Sequence, residues 1–147
     1  MEPDSGQSFG VDSTQAIGSV ADFDREEPLG EGLSQGAQAA IDALPPTSAL
    51  LVVLRGPNAG SRFLLDADST SAGRSTKSDI FLDDVTVSRR HASFDRDGFD
   101  FAVRDLGSLN GTYVNRERVD RVLLTAGDEV QIGKYRLTFH PSPSRPA

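Results

Sequence analysis

Short segments of alternating hydrophobic and polar residues fill the last two thirds of the chain. Turn residues such as Asp97-Gly98 and Gly133-Lys134 separate these segments about every eight to twelve positions. Both positions of Asp97-Gly98 tolerate positive φ, so this pair predicts a two-residue hairpin turn. In the segment that follows, Phe99, Phe101 and Val103 alternate with other residues, which predicts one buried and one exposed face. The pattern predicts an all-β sandwich with strands at Leu50–Arg55, Arg62–Leu65, Ile80–Leu82, Ala92–Arg96, Phe99–Asp105, Thr112–Val114, Arg118–Leu123, Glu129–Ile132 and Tyr135–Phe139.

The first third of the chain has a different composition. Residues 1–48 are dominated by Gly, Ser, Gln and acidic residues, and they hold nine acidic side chains against the single basic Arg25. Such a segment buries too little apolar surface to offset the entropy of ordering, which predicts a disordered acidic tail. A weak helical pattern over Gln35–Leu44 ends at Pro45-Pro46. We therefore expect a tail over 1–48, one folded domain over 49–140 and a disordered end over 141–147.

The charge and the composition exclude several classes of protein. The net charge of −7 belongs to the first third, so it says nothing about what the folded part binds. The absence of Cys excludes disulfides, a thiolate nucleophile and a cysteine zinc site, and two His residues alone argue against a zinc enzyme. Neither a run of 18 apolar residues nor a signal-peptide pattern is present. We expect a cytoplasmic protein without a cofactor.

Three predicted loops carry an unusual concentration of hydrogen-bond donors. Arg74 follows Ala72-Gly73, and Ser88-Arg89-Arg90-His91 precedes a strand. A third loop, Leu106–Gly111, offers hydroxyl and carboxamide groups. Guanidinium groups match two phosphate oxygens at once and stay charged at any relevant pH. The three loops together therefore indicate a phosphate-binding site on a rigid β scaffold.

These three loops resemble the ordered signatures of the forkhead-associated (FHA) domain, over roughly residues 49–140. The resemblance lies in Gly73-Arg74, in Ser88-Arg89-Arg90-His91 and in Ser108–Asn115, which reads SLNGTYVN. It implies a sandwich of two antiparallel sheets with about eleven strands, whose loops at one end bind a phosphothreonine peptide.

The resemblance also assigns a role to each matching residue. It makes Arg74 the main phosphate ligand, Ser88 a hydroxyl donor to the phosphate and Arg89 a second cationic contact, while Asn110 bonds the peptide backbone. Many members have a hydroxyl residue where this chain has Leu109. Either Ser108 supplies the missing phosphate ligand, or the phosphate has one ligand fewer. Structural roles that tie the loops together fall to Gly73, His91, Gly111, Thr112 and Asn115.

The longer runs Ser78–His91 and Gly107–Arg116 resemble a subgroup of small actinobacterial FHA regulators with a phosphorylatable tail. This implies that a Ser/Thr protein kinase phosphorylates Thr14 and that the tail then inhibits its own FHA domain. It also implies partners in 2-oxoglutarate and glutamate metabolism, including 2-oxoglutarate dehydrogenase or decarboxylase. The subgroup has two adjacent threonines where this chain has Ser13-Thr14, which weakens the transfer of the switch.

Other functions stay open at this point. The chain could be an adaptor that recruits phosphorylated kinases or other phosphoproteins in trans, with no tail switch. Ser88 and His91 suggest a nucleophile and a base, but no acid is placed to orient the imidazole, so we expect no catalysis. Arg116, Arg118 and Arg121 are typical of an exposed strand face, and few aromatic residues are available for base stacking. We expect a monomer that binds neither nucleic acid nor membrane.

Overall fold

The computed structural model describes residues 28–29 and 33–146. The chain divides into two units, and the boundary between them falls after Gln38. In the first unit, β1 (Pro28–Leu29) pairs with β2 (Leu33–Ser34) in antiparallel orientation. The helix α1 (Gln35–Asp42) follows at once, and the Ser34 hydroxyl caps it by accepting a 3.0 Å hydrogen bond from the Ala37 amide. The predicted helix is therefore present, two residues shorter than the pattern indicated.

The second unit is built from two β-sheets. In chain order the strands are β3 (Ala49–Arg55), β4 (Arg62–Leu65), β5 (Ser69–Gly73), β6 (Ile80–Phe81), β7 (Ala92–Asp97), β8 (Asp100–Asp105), β9 (Thr112–Val114), β10 (Glu117–Val119), β11 (Arg121–Leu123), β12 (Glu129–Ile132) and β13 (Tyr135–Pro141). One sheet has six strands in the order β10-β9-β12-β13-β3-β4, and the other has five in the order β11-β8-β7-β5-β6.

The core lies between these two sheets. Along β13, Tyr135, Leu137 and Phe139 are buried at alternate positions, as the period of a strand requires. Phe139 meets Phe101 of the other sheet edge-to-face, with ring centroids 6.0 Å apart. The predicted all-β sandwich of two sheets with about eleven strands is confirmed.

Two strands differ from the prediction. The sequence of β5, STSAG, contains no large apolar residue, so the hydrophobic pattern did not include this strand among those it predicted. It pairs in parallel with β6, with Ala72 opposite Ile80, so the expectation of purely antiparallel sheets is wrong at this pair. The predicted strand Arg118–Leu123 is broken at Asp120, because β10 belongs to the six-stranded sheet and β11 to the five-stranded one.

The hairpin between β7 and β8 is shifted by one residue from its predicted position. Asp97 is the last residue of β7 and lies opposite Asp100, so the turn consists of Gly98 and Phe99. Only Gly98 has positive φ, at 67°, as the first position of a type II′ turn requires. Phe99 is consequently 44% exposed instead of buried, whereas Phe101 and Val103 occupy the predicted buried positions.

Residues just before and just after the predicted domain (49–140) also form contacts within the second unit. Ile41, Leu44 and Ser48 are buried. The buried Ser142 donates its hydroxyl to the Leu44 carbonyl at 2.8 Å, and its amide donates to the Ser48 carbonyl at 3.2 Å. The boundaries at residues 48 and 140 stay predictions. Within the described residues we find no helix with the length and hydrophobicity that crossing a bilayer requires.

Candidate functional site

Backbone hydrogen bonds join the three donor-rich loops to one another. The amide of Arg74 donates to the Ser88 carbonyl at 2.9 Å, and the amide of Ser75 donates to the Arg89 carbonyl at 3.2 Å. The third loop joins them because the Leu109 amide donates to the Ser88 hydroxyl oxygen at 3.0 Å. Segments that are far apart in sequence therefore form one continuous surface.

Gly73 allows the first two loops to approach this closely. A Cβ at Gly73 would lie 2.2 Å from the carbonyl oxygen of Arg89, a distance at which the backbone would have to move. The structure thus gives a steric reason for glycine immediately before Arg74.

The Arg74 side chain is anchored through its Nε atom. Its Nε donates to the Val87 carbonyl at 3.0 Å, which fixes the guanidinium while the side chain stays exposed. Arg89 is also exposed, and Ser88 is half-buried between them. The Ser88 oxygen accepts the Leu109 amide, so its own hydroxyl hydrogen is available to donate elsewhere. Two guanidinium groups and one hydroxyl donor therefore share this surface.

His91 is fully buried and links the second loop to the third. Its Nδ1 accepts a 3.0 Å hydrogen bond from the Ser88 amide, which requires that Nδ1 carries no proton. Its Nε2 then carries the proton and donates to the Gly111 carbonyl at 2.9 Å. Because both ring nitrogens are engaged in this way, the imidazole is not available as a base for the Ser88 hydroxyl.

Asp105 organises the third loop, and the sequence pattern did not single it out. One carboxylate oxygen accepts the amides of Gly107 and Ser108 at 2.9 and 3.1 Å. The other accepts the hydroxyls of Ser108 and Thr112 at 2.5 and 2.7 Å. Burial raises the pKa of Asp105, but the hydrogen bonds from Ser108, Thr112 and Gly107 outweigh it and the pKa is lowered. The signal that could have found it is an Asp two residues before a Gly, which is typical of an Asx-turn.

Many FHA domains have a hydroxyl residue at the position of Leu109, and Ser108 is the neighbour that could replace it. These two residues have opposite environments. Ser108 is buried, its hydroxyl donates to Asp105, and its oxygen accepts the Gly111 amide at 3.0 Å. Its single hydrogen is therefore occupied within the loop. The side chain of Leu109 is 86% exposed.

Asn110 is anchored to a support that the sequence analysis also missed. Its Nδ2 donates to the Thr86 carbonyl at 2.9 Å. The Asp84 carboxylate accepts hydrogen bonds from both the hydroxyl and the amide of Thr86. The Thr86 hydroxyl oxygen in turn accepts a hydrogen bond from the Lys134 amide at 2.9 Å. The Thr86 hydroxyl, the Thr86 amide and the nearby Lys134 charge hold the pKa of Asp84 below its usual value, despite burial.

Asn115 lies farther along the third motif and secures the turn after β9. It adopts positive φ at 51°. Its side chain accepts the Glu129 amide and donates to the Asp128 carboxylate, both at 3.0 Å. The structure therefore brings every predicted residue from Gly73 to Gly111 to the joined loops and places Thr112 in β9 and Asn115 in the turn that follows it. Thr14 lies outside the described residues.

The chemistry of the site is that of an anion receptor. Exposed guanidinium groups, a free hydroxyl hydrogen and a fixed carboxamide offer the donors that a phosphate group accepts. Within residues 28–29 and 33–146, no cluster of three or more His, Asp or Glu side chains could hold a metal ion.

Comparison with known proteins agrees with this architecture. The family model described as "FHA domain" matches residues 70–133. One solved structure, titled "Structural and functional analysis of phosphothreonine-dependent FHA domain interactions", superimposes with a TM-score of 0.61 at 32% identity, over 66% of this chain and 99% of that one. A second, Mycobacterium tuberculosis EmbR in complex with a low-affinity phosphopeptide, gives a TM-score of 0.61 at 29% identity over 82% of this chain and 28% of that one. The chain belongs to the FHA domain family.

Within this family the chain is similar to two named regulators. It is 62% identical to the glycogen accumulation regulator GarA of Mycolicibacterium smegmatis over 125 residues, which are 84% of this chain and 78% of that protein. It is 66% identical to the oxoglutarate dehydrogenase inhibitor of Corynebacterium jeikeium over 101 residues, which are 69% of this chain and 70% of that protein.

Gly73→Ala tests the close approach of the first two loops. The new Cβ collides with the Arg89 carbonyl, so we expect a loss of about 1–3 kcal/mol in the free energy of unfolding, with altered amide shifts at Arg74 and Ser75. Urea denaturation and amide NMR measure both. Ser78→Ala added to Gly73→Ala is the control, because Ser78 Oγ lies 3.1 Å from the same position. Recovery of stability in this double variant would show that the backbone clash is not the cause.

Asp105→Asn tests the third loop through its pH dependence. Because the folded pKa of Asp105 lies below its unfolded value near 3.8, its contribution to stability is complete above that pH and is lost as the pH falls through the folded pKa. We expect the wild type to lose more unfolding free energy than Asp105→Asn between about pH 5 and pH 2, as measured by urea denaturation. Asp97→Asn, at an exposed carboxylate 3.9 Å from Arg121, is the control. Equal pH profiles for wild type and Asp105→Asn would contradict this role.

Proposed function

We propose that this chain is a non-catalytic regulator that binds phosphothreonine segments of partner proteins at the joined loops. The observation that carries the proposal is the single surface on which Arg74, Ser88, Arg89 and Asn110 meet, in a chain of the FHA family. A phosphothreonine carries nearly two negative charges and three acceptor oxygens, which suits two guanidinium groups and a hydroxyl donor.

Each residue has a distinct role in the proposed complex. Arg74 presents its terminal nitrogens to the phosphate, Arg89 adds a second charge, and Ser88 donates its free hydroxyl hydrogen. Asn110, anchored through Nδ2 to Thr86, bonds the peptide backbone beside the phosphothreonine. Ser108 supports the loop and does not contact the phosphate, because its hydrogen is engaged by Asp105. The phosphate then has one hydroxyl ligand fewer than in many members, and Leu109 leaves the position unfilled.

The names of the relatives support a metabolic role. Two of the similar proteins are called a glycogen accumulation regulator and an oxoglutarate dehydrogenase inhibitor. We infer that this chain controls 2-oxoglutarate dehydrogenase or decarboxylase and enzymes of glutamate metabolism. Ser/Thr protein kinases that carry phosphothreonine are further partners.

We also propose that Thr14, once phosphorylated by a Ser/Thr kinase, docks on its own FHA site and inhibits it. Thirteen residues separate Thr14 from Pro28, the first residue of β1, and a flexible chain of that length has a root-mean-square span of about 20 Å. A domain of this size has a radius of gyration of about 13 Å, so this span is comparable with the size of the domain. A tethered ligand has an effective concentration of order millimolar, which at micromolar affinity favours the closed form about a thousandfold.

The second candidate is an adaptor that recruits phosphoproteins in trans without a tail switch. Ser13-Thr14, where a pair of threonines was expected, is the observation that favours it. The two candidates share the binding site and differ only in whether Thr14 matters.

Arg74→Ala tests the binding site. Calorimetric titration of a phosphothreonine peptide copied from residues 8–20 into the full unphosphorylated chain should give micromolar binding. The variant should bind about a hundredfold or more weakly, because two charge-assisted hydrogen bonds of about 1.5–3 kcal/mol each are lost. Arg90→Ala, at the exposed neighbour in the second loop, should bind as the wild type does. Binding of the peptide by Arg74→Ala at wild-type affinity would refute the site.

The tail switch is tested with full chain prepared by semisynthesis with phosphothreonine at position 14. We expect its affinity for an external phosphothreonine peptide to fall by about a thousandfold, because the tethered tail competes for the site. Placing phosphoserine at position 13 instead, with Thr14 unmodified, is the matched control and should inhibit far less. If the chain phosphorylated at Thr14 binds the external peptide as tightly as the unmodified chain, the adaptor is the better description.

A further inference from the structure

A row of five residues, three of them arginines, crosses the outer face of the six-stranded sheet. The strand register places Arg118 opposite Tyr113, Tyr113 opposite Gln131, Gln131 opposite Arg136, and Arg136 opposite Arg55. Directly opposed residues in antiparallel strands share a face of the sheet. The neighbouring row, which includes Thr112 and Ile132, is buried in the core, so this row faces outward.

The row forms part of a groove that reaches the FHA loops. This groove has a volume of about 510 Å³ and is lined by Tyr113, Arg116, Gln131, Lys134 and Arg136. Asn110 and Thr86 line the same groove. Arg118 lies next to the groove, because its Nε would be 2.8 Å from a Cβ placed on Gly111, and Gly111 lines the groove. Arg116, Lys134 and Arg136 line the groove, and Arg55 and Arg118 stand at the two ends of the row that crosses it. We call the surface formed by these five cationic residues the basic groove.

The charges of the basic groove are poorly neutralised. Among the residues that the structure describes, Arg55, Arg116, Arg118 and Arg136 form no ion pair, and Lys134 reaches Asp84 only at 4.0 Å. Arg136 and Arg55 are partners across the two strands, next to a β-bulge between Arg136 and Leu137, and like charges on paired strands destabilise a sheet. The arrangement costs stability in the free protein, and a bound anionic group would relieve that cost.

We propose that the basic groove binds an acidic polypeptide segment adjacent to the phosphothreonine of a partner protein. The inference rests on the proposed function and deepens it, because it defines partners by an acidic stretch as well as a phosphothreonine. The row spans five strands, or about 19 Å, which an extended peptide covers with roughly six residues. Tyr113 is the single aromatic side chain in the row, so the surface offers little for stacking nucleic acid bases.

The test uses four phosphothreonine peptides, in two matched pairs, and the full unphosphorylated chain. Within each pair the peptides are identical except that six flanking residues are Asp and Glu in one and Asn and Gln in the other. The flank precedes the phosphothreonine in one pair and follows it in the other. Exposed ion pairs contribute about 0.2–1 kcal/mol each, so calorimetry should find one acidic peptide about tenfold tighter than its neutral match. The advantage should shrink as salt is raised.

Two variants assign the effect to the groove. In Arg116→Gln/Arg136→Gln, which removes two of the five cationic side chains, the ratio of acidic to neutral affinity should fall from about tenfold to about fourfold. Arg121→Gln, at an exposed arginine of the other sheet, should keep the wild-type ratio. Equal affinities in the wild type, or an unchanged ratio in the double variant, would overturn the inference.

A further pair of measurements separates this inference from the proposed function. If no phosphothreonine peptide binds, the proposed function fails, and NMR titration with an unphosphorylated acidic peptide decides the groove by itself. Amide shifts at Tyr113 and Gln131 support the groove, and their absence overturns it. Stronger binding of a random-sequence DNA duplex at the same amides would also overturn it, because the ligand would then be a nucleic acid.

Discussion

The binding surface depends on one buried imidazole. His91 accepts a hydrogen bond from the Ser88 amide and donates one to the Gly111 carbonyl, so a single ring sets the distance between the second and third loops. Both bonds are satisfied only by the neutral ring with its proton on Nε2. Because the ring is fully buried, water cannot replace either partner, and loss of one bond leaves a buried polar group unpaired.

Other supports act on the same surface from different directions. Gly73 lets the backbone of Arg89 approach the first loop, and Asp105 gathers the amides and hydroxyls of the third. Thr86 accepts a hydrogen bond from the Asn110 side chain and is itself held by Asp84. None of these residues needs to touch a ligand. Their combined effect is to fix the exposed donors before a ligand arrives, so that little conformational entropy is lost on binding.

The outer face of the six-stranded sheet extends this surface in a different way. In the proposed complex, the loop site binds one dianionic group through close hydrogen bonds, whereas the basic groove provides a diffuse positive field from four arginines and Lys134. Exposed charges contribute little singly and are screened by salt, so they select among partners more than they provide affinity. The chain as a whole is acidic, yet this face is basic, which net charge alone conceals.

The sequence alone determined the sandwich, most of its strands and the donor residues of the loops, because strand periodicity, turn residues and short motifs are local properties. It missed β5, whose small residues carry no periodic signal, and it misplaced the Gly98 turn by one residue. It also missed Asp105, Thr86 and the row from Arg118 to Arg55. Those features exist only when particular strands pair in a particular register, and burial between the two sheets sets that register over distances that no local pattern encodes.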